Sequence, residues 1–473
     1  MAGGGLPVSV TVVESGFLTG RKLVFPLFLV ICLFFLWGFS YGLLDVLNSH
    51  FQTVLSITKL QSTGLQVMYF GGGYFFFSPI AAEVLKRKGY KMTILMGLAF
   101  YSVGAVMFWP TAHFSTPDNR LAAFGGFLVC TLVIACGLAT LETAANSYAV
   151  VIGDPASASS RLQFCQAWNG VASFIGPLIA SKFFFTGANA NNLTNVQYVY
   201  LAVSCAGIAI AFLFAFSKLP EVAESDLQGS NIENSAADEF GNQTGQGPIY
   251  KQYNMILAFI AQFCYSVENN TVTIGAFFIN YSLEAGYDKP TSSNMLSYAL
   301  ITFTVGRFFA FALSWIFQAD FLLIIYAICA IVFNAAACAD TNKSGVIIMI
   351  LLFFFEAPMY PTIFTIGTAN LGRHTRRGAG ILVMGVAGGA VFPPIQGAIA
   401  DAANTRISMV VPLAGFVYVL GYATFHWFTH GRHIWRVKEL VIPGAQGVVG
   451  GAIETVHYDD EKAFDEDVQA EKL

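Results

Sequence analysis

The chain has 473 residues, of which 55 % are hydrophobic and only 11 % are charged. A typical soluble chain carries roughly 25 % charged residues, so this chain lacks the polar groups to cover a water-facing surface. The formal net charge of −4, without an extended basic stripe, argues against a nucleic-acid-binding protein. The composition therefore predicts a polytopic membrane protein.

Apolar stretches long enough to cross a bilayer recur along the chain. A spanning helix needs about 20 mostly apolar residues to cross roughly 30 Å of hydrocarbon. Twelve stretches meet this requirement, at residues 24–48, 61–84, 92–111, 121–151, 162–186, 196–217, 252–282, 293–317, 321–338, 345–370, 378–400 and 407–429. The predicted fold class is an all-α membrane protein with twelve transmembrane helices in two six-helix bundles.

A polar stretch separates the sixth and seventh spans. It is acidic, rich in Gly, Asn and Gln, and poor in large apolar residues, which is typical of a linker. We therefore expect five segments: a tail (1–23), an N-terminal bundle (24–219), a linker (220–250), a C-terminal bundle (251–430) and a second tail (431–473).

Lysine and arginine are distributed unevenly between the two membrane faces. If both termini are cytoplasmic, the inner side receives fifteen of these residues and the outer loops receive five. Positive charge accumulates on the cytoplasmic side of membrane proteins. The sequence therefore predicts cytoplasmic termini, linker and tails.

The two predicted bundles share features at a constant spacing. Glu142 and Glu356 are 214 positions apart, and Arg161 and Arg376 are 215 apart. A Gly-Val-Ala tripeptide recurs at 170–172 and 385–387, again at an offset of 215. Two related six-span halves joined by a polar linker resemble the architecture of the major facilitator superfamily.

Ionisable side chains inside the spans are the first candidates for function. Each costs about 2.5–3.5 kcal/mol on insertion scales, so its presence requires a reason. The candidates are Asp45, Glu142, Glu268, Arg307 and Glu356. A carboxyl group in a partly dry cavity is suited to bind and release a proton near neutral pH, although Arg307 can equally serve as a counter-ion for one acid.

Neutral hydrogen-bonding side chains accompany these acids. Amides pair with hydroxyl groups as donors and as acceptors, so a cavity lined by them suits a neutral polyhydroxylated solute. For any single amide, a hydrogen bond between helices is the plainer explanation. The residues that we expect to bind substrate are Glu142, Asn146, Gln166, Asn169, Gln262, Asn269 and Tyr360.

No metal, cofactor or enzyme chemistry is predicted. All eight cysteines lie in apolar segments, without a CxxC pair or an adjacent histidine cluster, so we interpret them as packing residues. The seven histidines lie near span ends, in loops or in tails. No nucleophile–His–acid set is visible, and the chain is not expected to be an enzyme.

Several stretches resemble one family closely. These are FFLWGFSYGLLDVLNSHFQ (34–52), GLATLETAANSYAVVIG (137–153), SRLQFCQAWN (160–169), AQFCY (261–265), VGRF (305–308), YPTIFTIGTANLG (360–372) and ILVMGVAGGAVFPPIQGAIADAA (381–403). Together they resemble the fucose and glucose/galactose permease family of the major facilitator superfamily. The LETAAN and YPTIF…NLG segments are fairly specific to that family.

The resemblance implies roles for individual residues. It implies proton coupling and sugar binding by the acids in the first span and in the LETAAN segment, which are Asp45 and Glu142 here. It also implies sugar contacts by Gln166, Asn169 and Tyr360. Departures from the family pattern include Tyr41-Gly42, where a fucose-specific member has asparagines, and the additional acids Glu268 and Glu356.

The predicted function is proton-coupled import of a neutral monosaccharide, of the fucose, glucose or galactose type, by alternating access. The expected partners are the sugar, protons and the lipid bilayer, and the expected state is a monomer in the plasma membrane. Two alternatives remain open at this point. One is an exporter of a drug or small metabolite, since fold alone does not choose direction, and the other is a nutrient receptor that does not transport.

Overall fold

The computed structural model describes most of the chain between residues 18 and 436. The described residues are 18, 20–55, 64–116, 119–184, 193–221, 248–265, 274–340, 342–429 and 432–436. Nearly all of them lie in helices. Within this described part, β-structure is limited to one bridge between Phe317 and Trp435, so the all-α prediction is confirmed.

Five long helices make up the first half of the chain, before the stretch 222–247. They are α1 (Arg21–Val54), α2 (Phe76–His113), α3 (Arg120–Val151), α4 (Ala158–Phe184) and α5 (Thr194–Phe216). The α-helical stretch Gly64–Gln66 and the π-helix Val67–Phe75 lead directly into α2. Pro79 and Pro110 are both accommodated inside α2.

The second half, from residue 248 onward, contains more and shorter helices. They are α6 (Tyr253–Tyr265), α7 (Ile274–Glu284), α8 (Lys289–Leu313), α9 (Ala319–Ala339), α10 (Ser344–Glu356), α11 (Met359–Thr368), α12 (Thr375–Met384), α13 (Gly388–Ala402), α14 (Thr405–Ser408) and α15 (Val410–Thr429). Each of the twelve predicted spans overlaps at least one described helix. Among the described residues, nine helical segments are individually long and apolar enough to cross a membrane.

The surface of these helices is apolar as well as their interior. Val24 is 64 % exposed and Phe76 is 68 % exposed, while Leu29 and Tyr74 are fully buried. A water-soluble protein rarely exposes apolar patches of such extent. The described helices therefore present the surface expected of a protein surrounded by lipid.

The connection between the second and third predicted spans is shorter than the sequence suggested. Instead of a loop, a single break at Gly89, with φ 79° and ψ 178°, separates two segments of α2. A positive φ is accessible to glycine without steric cost. The carboxylate of Glu221, which follows α5, accepts hydrogen bonds from the backbone N–H groups of Tyr90 (3.0 Å) and Lys91 (2.9 Å). Glu221 thus caps the helical segment that restarts after Gly89.

The predicted tenth span is interrupted between α10 and α11. Pro361 has no N–H group and cannot donate to the carbonyl of Ala357, one helical turn earlier. Side chains from other helices bond the carbonyls around this break. Tyr265 donates to the carbonyl of Glu356 (3.1 Å), and Gln163 donates to that of Pro358 (2.9 Å). The eleventh span is likewise divided, by a 3₁₀ turn at Gly385–Ala387 between α12 and α13.

The two halves meet along α4 and α8 and along α2 and α12. At the end of the molecule that carries Arg87, Arg161 and Arg377, which we call the basic face, polar contacts join them. The Arg377 guanidinium forms a salt bridge with Glu83 at 2.7 Å. The Ser314 hydroxyl donates to that of Ser160 at 2.9 Å. The halves are therefore closed against each other on the basic face.

Candidate functional site

A network of four polar side chains lies where α3 and α4 meet α11. Glu142, on α3, is 2 % exposed, and its Oε1 accepts hydrogen bonds from the Tyr360 hydroxyl and from Asn146 Nδ2 (3.5 Å). Asn146 also donates to the Tyr360 hydroxyl (3.1 Å), and its Oδ1 accepts from Gln166 Nε2 (3.3 Å). The structure thus brings together Glu142, Asn146, Gln166 and Tyr360, four of the residues that the sequence nominated.

The helix geometry explains why these side chains converge. Glu142 and Asn146 are four residues apart on α3 and therefore lie on one face of that helix. Gln166 lies on α4, which also belongs to the first half, and its side chain contacts this face of α3 at Asn146. Tyr360, on α11, comes from the second half, so the network crosses the boundary between the halves.

Arg307 also crosses this boundary. It is 3 % exposed on α8, and its Nη1 donates to the backbone carbonyl of Gln166 (2.6 Å) and to Asn169 Oδ1 (2.9 Å). Its Nε donates to the carbonyl of Ala357 (3.4 Å), which the break before α11 leaves accessible. No carboxylate of the described residues lies within 4 Å of its guanidinium, so Arg307 is held by carbonyl and amide oxygens.

Asn169, which the sequence predicted as a sugar contact, bonds groups on two other helices. Its Oδ1 accepts from Arg307, and its Nδ2 donates to the backbone carbonyl of Phe34 (3.2 Å). The backbone of Asn169 also packs so closely on Gly38 of α1 that no side chain would fit at that position. In this conformation, both ends of the Asn169 amide hold protein groups together.

The remaining predicted residues are distributed as follows. Glu356, the last residue of α10, is completely buried, and neither of its carboxyl oxygens has a hydrogen-bond partner. Gln262, on α6, is buried against Gly385. The side chain of Asp45, and the residues Glu268 and Asn269, lie outside the described residues.

The polar network leaves hydrogen-bond acceptors unfilled. Glu142 Oε2 and Gln166 Oε1 are buried and form no hydrogen bond of ordinary geometry, although the Tyr74 hydroxyl lies beside Glu142. Aromatic rings lie beside them, with the centroids of Trp37 and Tyr265 each 6.4 Å from that of Tyr360. Buried polar atoms are nearly always paired in proteins, so these two acceptors are suited to a ligand that supplies hydroxyl donors.

Two residues at this site were missed by the sequence analysis. Gln163 Nε2 donates to the carbonyl of Pro358 and to Thr362 Oγ1, both at 2.9 Å. Gln163 is three residues before Gln166, so helical spacing places both on one face of α4 and could have identified it. Tyr74 is fully buried beside Glu142. Several aromatic residues adjoin it in the sequence, and nothing in the sequence distinguishes Tyr74 from them as a site residue.

Among the residues that the structure describes, no group of three or more His, Cys, Asp or Glu side chains could hold a metal ion. The chemistry available at the centre is therefore that of carboxyl, amide, phenol and guanidinium groups.

Comparison with known proteins identifies the family. Residues 27–426 match the sequence profile of the Major Facilitator Superfamily. The chain belongs to this superfamily. It is therefore a multi-pass membrane transporter and not an enzyme, which confirms both predictions.

Individual relatives cover most of the chain. The chain is 30 % identical over 397 residues to a glucose/galactose transporter of Brucella abortus (strain 9-941), covering 82 % of this chain and 91 % of the relative. It is 28 % identical to the L-fucose-proton symporter of Escherichia coli (strain K12), covering 86 % of this chain and 94 % of the relative. The predicted resemblance to this permease family is confirmed.

Solved structures confirm the fold. The crystal structure of the transporter FucP in the outward conformation matches with a TM-score of 0.71 and 27 % identity, over 86 % of this chain and 99 % of that chain. The proton:xylose symporter XylE matches with a TM-score of 0.63 at 15 % identity, a similarity of fold alone. The predicted major facilitator fold is therefore correct.

Proposed function

We propose that this protein imports a neutral monosaccharide together with protons. The observation that carries the proposal is the pair of buried acceptors without donors, Glu142 Oε2 and Gln166 Oε1. A monosaccharide presents several hydroxyl groups, each able to donate to such an oxygen. Leaving these acceptors empty costs about 1–3 kcal/mol each, so a polyol that fills them gains both affinity and orientation.

The surroundings of these acceptors favour a sugar over a charged solute. Trp37, Tyr265 and Tyr360 provide aromatic faces on which the C–H surfaces of a sugar ring can pack. The guanidinium of Arg307 is already bonded to protein oxygens, so it does not select an anion. Relatives named as a glucose/galactose transporter and as an L-fucose-proton symporter support the same substrate class.

Glu142 is the group that we assign to proton coupling, with Asp45 of α1 as the second acid that the family resemblance implies. Because Glu142 Oε1 already accepts from Tyr360 and Asn146, the proton resides on Oε2, which then donates to a sugar oxygen, whereas the ionised Oε2 accepts from a sugar hydroxyl. Protonation removes its buried charge, which lowers the cost of closing the site around a sugar. Proton binding and sugar binding then favour the same closed state.

The contacts between the halves support alternating access. The salt bridge between Glu83 and Arg377 and the bond between Ser160 and Ser314 close the basic face. In the proposal this face is cytoplasmic, because positive charge accumulates there in membrane proteins. Sugar enters from the opposite, outer side, both termini are cytoplasmic, and the working unit is a monomer in the plasma membrane.

A test uses the purified full-length protein in liposomes with an inward pH gradient. D-Glucose, D-galactose and L-fucose are offered separately as radiolabelled substrates. We expect uptake of at least one of them, abolished by a protonophore and retained by Asp401→Asn, an exposed acid at the end of α13 that serves as a control. Gradient-independent or absent uptake of all three sugars would contradict the proposal, and gradient-driven release from preloaded vesicles alone would indicate an exporter.

A further inference from the structure

Glu356 is a buried acid for which the proposed sugar and proton mechanism has no use. It ends α10 at the break before α11, and its side chain is completely inaccessible. Its backbone carbonyl accepts a hydrogen bond from Tyr265 (3.1 Å), but neither Oε1 nor Oε2 has a partner. The hydrogen bond from Tyr265 holds the backbone of Glu356, and no described donor or cation bonds its carboxyl group.

Such a carboxyl group is uncharged in this conformation. An ionised carboxylate that is buried without donors is strongly disfavoured, and such groups take up a proton instead. The alternative is an ion pair, and the described cation near Glu356 is Arg307. Arg307 donates instead to the carbonyls of Gln166 and Ala357 and to Asn169 Oδ1.

The other groups around Glu356 do not replace a proton. Tyr265 on α6 uses its hydroxyl on the backbone carbonyl, and Tyr360 on α11 directs its hydroxyl to Glu142. The face of Arg307 lies over the ring of Phe303, 4.4 Å from its centroid. Glu268 lies outside the described residues and, as an acid, would add negative charge.

Glu142 and Glu356 therefore have separate environments. Glu142 accepts two hydrogen bonds and faces Tyr74, Tyr360, Asn146 and Arg307, whereas Glu356 accepts none. Because Arg307 pairs with neither acid, one proton cannot neutralise both. Each carboxyl group needs its own proton when the site is closed to water.

We propose that Glu356 is a second proton-binding site, so that two protons accompany each sugar molecule. The stoichiometry rests on the proposed function, whereas the protonated state of Glu356 does not. A proton fits better than a metal cation, because a metal ion requires several oxygen ligands and the described residues offer no acidic cluster around Glu356. The Glu356 carboxyl ionises only when its surroundings open to water, and so binds a proton on one side and releases it on the other.

Sugar accumulation at equilibrium measures the stoichiometry. Liposomes contain the full chain, the membrane potential is clamped at zero with valinomycin and equal potassium, and the pH gradient is one unit. Each coupled proton then contributes a factor of about ten to the accumulation ratio. With the sugar that the wild-type protein carries, we expect about 100-fold accumulation, and about 10-fold for Glu356→Gln. Asp401→Asn should remain at about 100-fold.

Infrared difference spectra of the same proteins test the protonation of Glu356 without any sugar. We expect the carbonyl stretch of a protonated carboxylic acid at neutral pH, weaker in Glu356→Gln than in the wild-type protein and unchanged in Asp401→Asn. Three results would overturn the proposal. They are wild-type accumulation of only about 10-fold, accumulation driven by a sodium gradient, and identical spectra for the wild-type protein and Glu356→Gln. If the wild-type protein carries no sugar, the proposed function is contradicted, but the spectra still decide whether Glu356 is a proton site. The spectra also decide this question if the Glu356→Gln variant is inactive.

Discussion

Glu142 and Glu356 are 214 residues apart, close to the offset of 215 between the other features that the two halves share, yet the hydrogen bonding of their carboxyl groups differs. Glu142 belongs to a hydrogen-bonded network that crosses between the halves, and Glu356 has no hydrogen-bond partner for its carboxyl oxygens. The repeat accounts for the position of an acid, but the neighbouring side chains determine its chemistry. Similar spacing in the two halves therefore does not imply similar function.

The largest expected effect is that of Glu142→Gln. This variant cannot exchange a proton and presents a fixed amide to the sugar, so the rate of uptake should fall furthest of all the variants, while the proton bound at Glu356 still drives a residual accumulation. Initial uptake rates between pH 5 and pH 8 measure the effect: the rate of the variant should be lower throughout and should vary less with pH than the wild-type rate. If Glu142→Gln and Glu356→Gln lose equal parts of the sugar uptake, the two acids have the same role despite their different surroundings.

Arg307→Lys tests whether the Arg307 side chain acts through the shape of its guanidinium group or through its positive charge. Lysine keeps the positive charge but lacks the planar fork that bonds Gln166, Asn169 and Ala357 together. Loss of one charge-assisted hydrogen bond costs about 1.5–3 kcal/mol, so we expect uptake to fall about 10- to 100-fold. A wild-type rate in this variant would mean that charge alone suffices.

Tyr360→Phe should have a smaller effect, because it removes one hydroxyl group from the network around Glu142. The hydroxyl makes two hydrogen bonds, but Asn146 keeps its own bond to Glu142 Oε1, so the net loss is that of about one hydrogen bond, or about 0.5–1.5 kcal/mol. The apparent sugar affinity should therefore weaken about two- to tenfold. The matched control is Tyr326→Phe, since the buried Tyr326 hydroxyl has no hydrogen-bond partner. Equal affinities for the two variants would exclude a special role for Tyr360.

Glu83→Gln should have the smallest effect. It breaks the contact with Arg377 between the halves, but the two side chains are 33 % and 41 % exposed, and exposed ion pairs contribute little to stability. Thermal unfolding should show a small destabilisation at low salt that disappears at high salt. Arg87→Gln, which removes a partner of Glu83 within the same half, is the control. A large effect that persists at high salt would indicate that the pair controls closure.

The sequence predicted the spans well because crossing a bilayer imposes one length and one composition on every helix. It named Glu142, Asn146 and Gln166 as candidates from their residue types, and the spacing of four between Glu142 and Asn146 places those two on one helix face; the contact of Gln166 with Asn146 depends on how α3 packs on α4. It did not predict that Arg307 bonds backbone carbonyls. The Ala357 carbonyl becomes available because Pro361 interrupts the helix, and the Gln166 carbonyl is reached because α8 packs on α4. The pattern of side chains in the sequence does not reveal this packing.

The hydrogen-bond partners of Asn169 could not be predicted either, because they also depend on how the helices pack. A sequence pattern identifies amides that share a face, but not which of them another helix will use. In the folded chain, Asn169 bonds Arg307 and Phe34, while Gln166 keeps an open oxygen. That division depends on the close packing of α1 on α4 at Gly38, a contact between residues more than 100 positions apart.

The capping of the segment after Gly89 by Glu221 determines where this chain can be divided. Glu221 bonds two backbone N–H groups of α2, and Lys91 returns a bond to the carbonyl of Ser217 (2.9 Å). If the two halves are expressed as separate polypeptides, the first fragment should extend through Glu221. A cut after Ser217 would remove the cap and leave the amide groups beyond Gly89 without their acceptor.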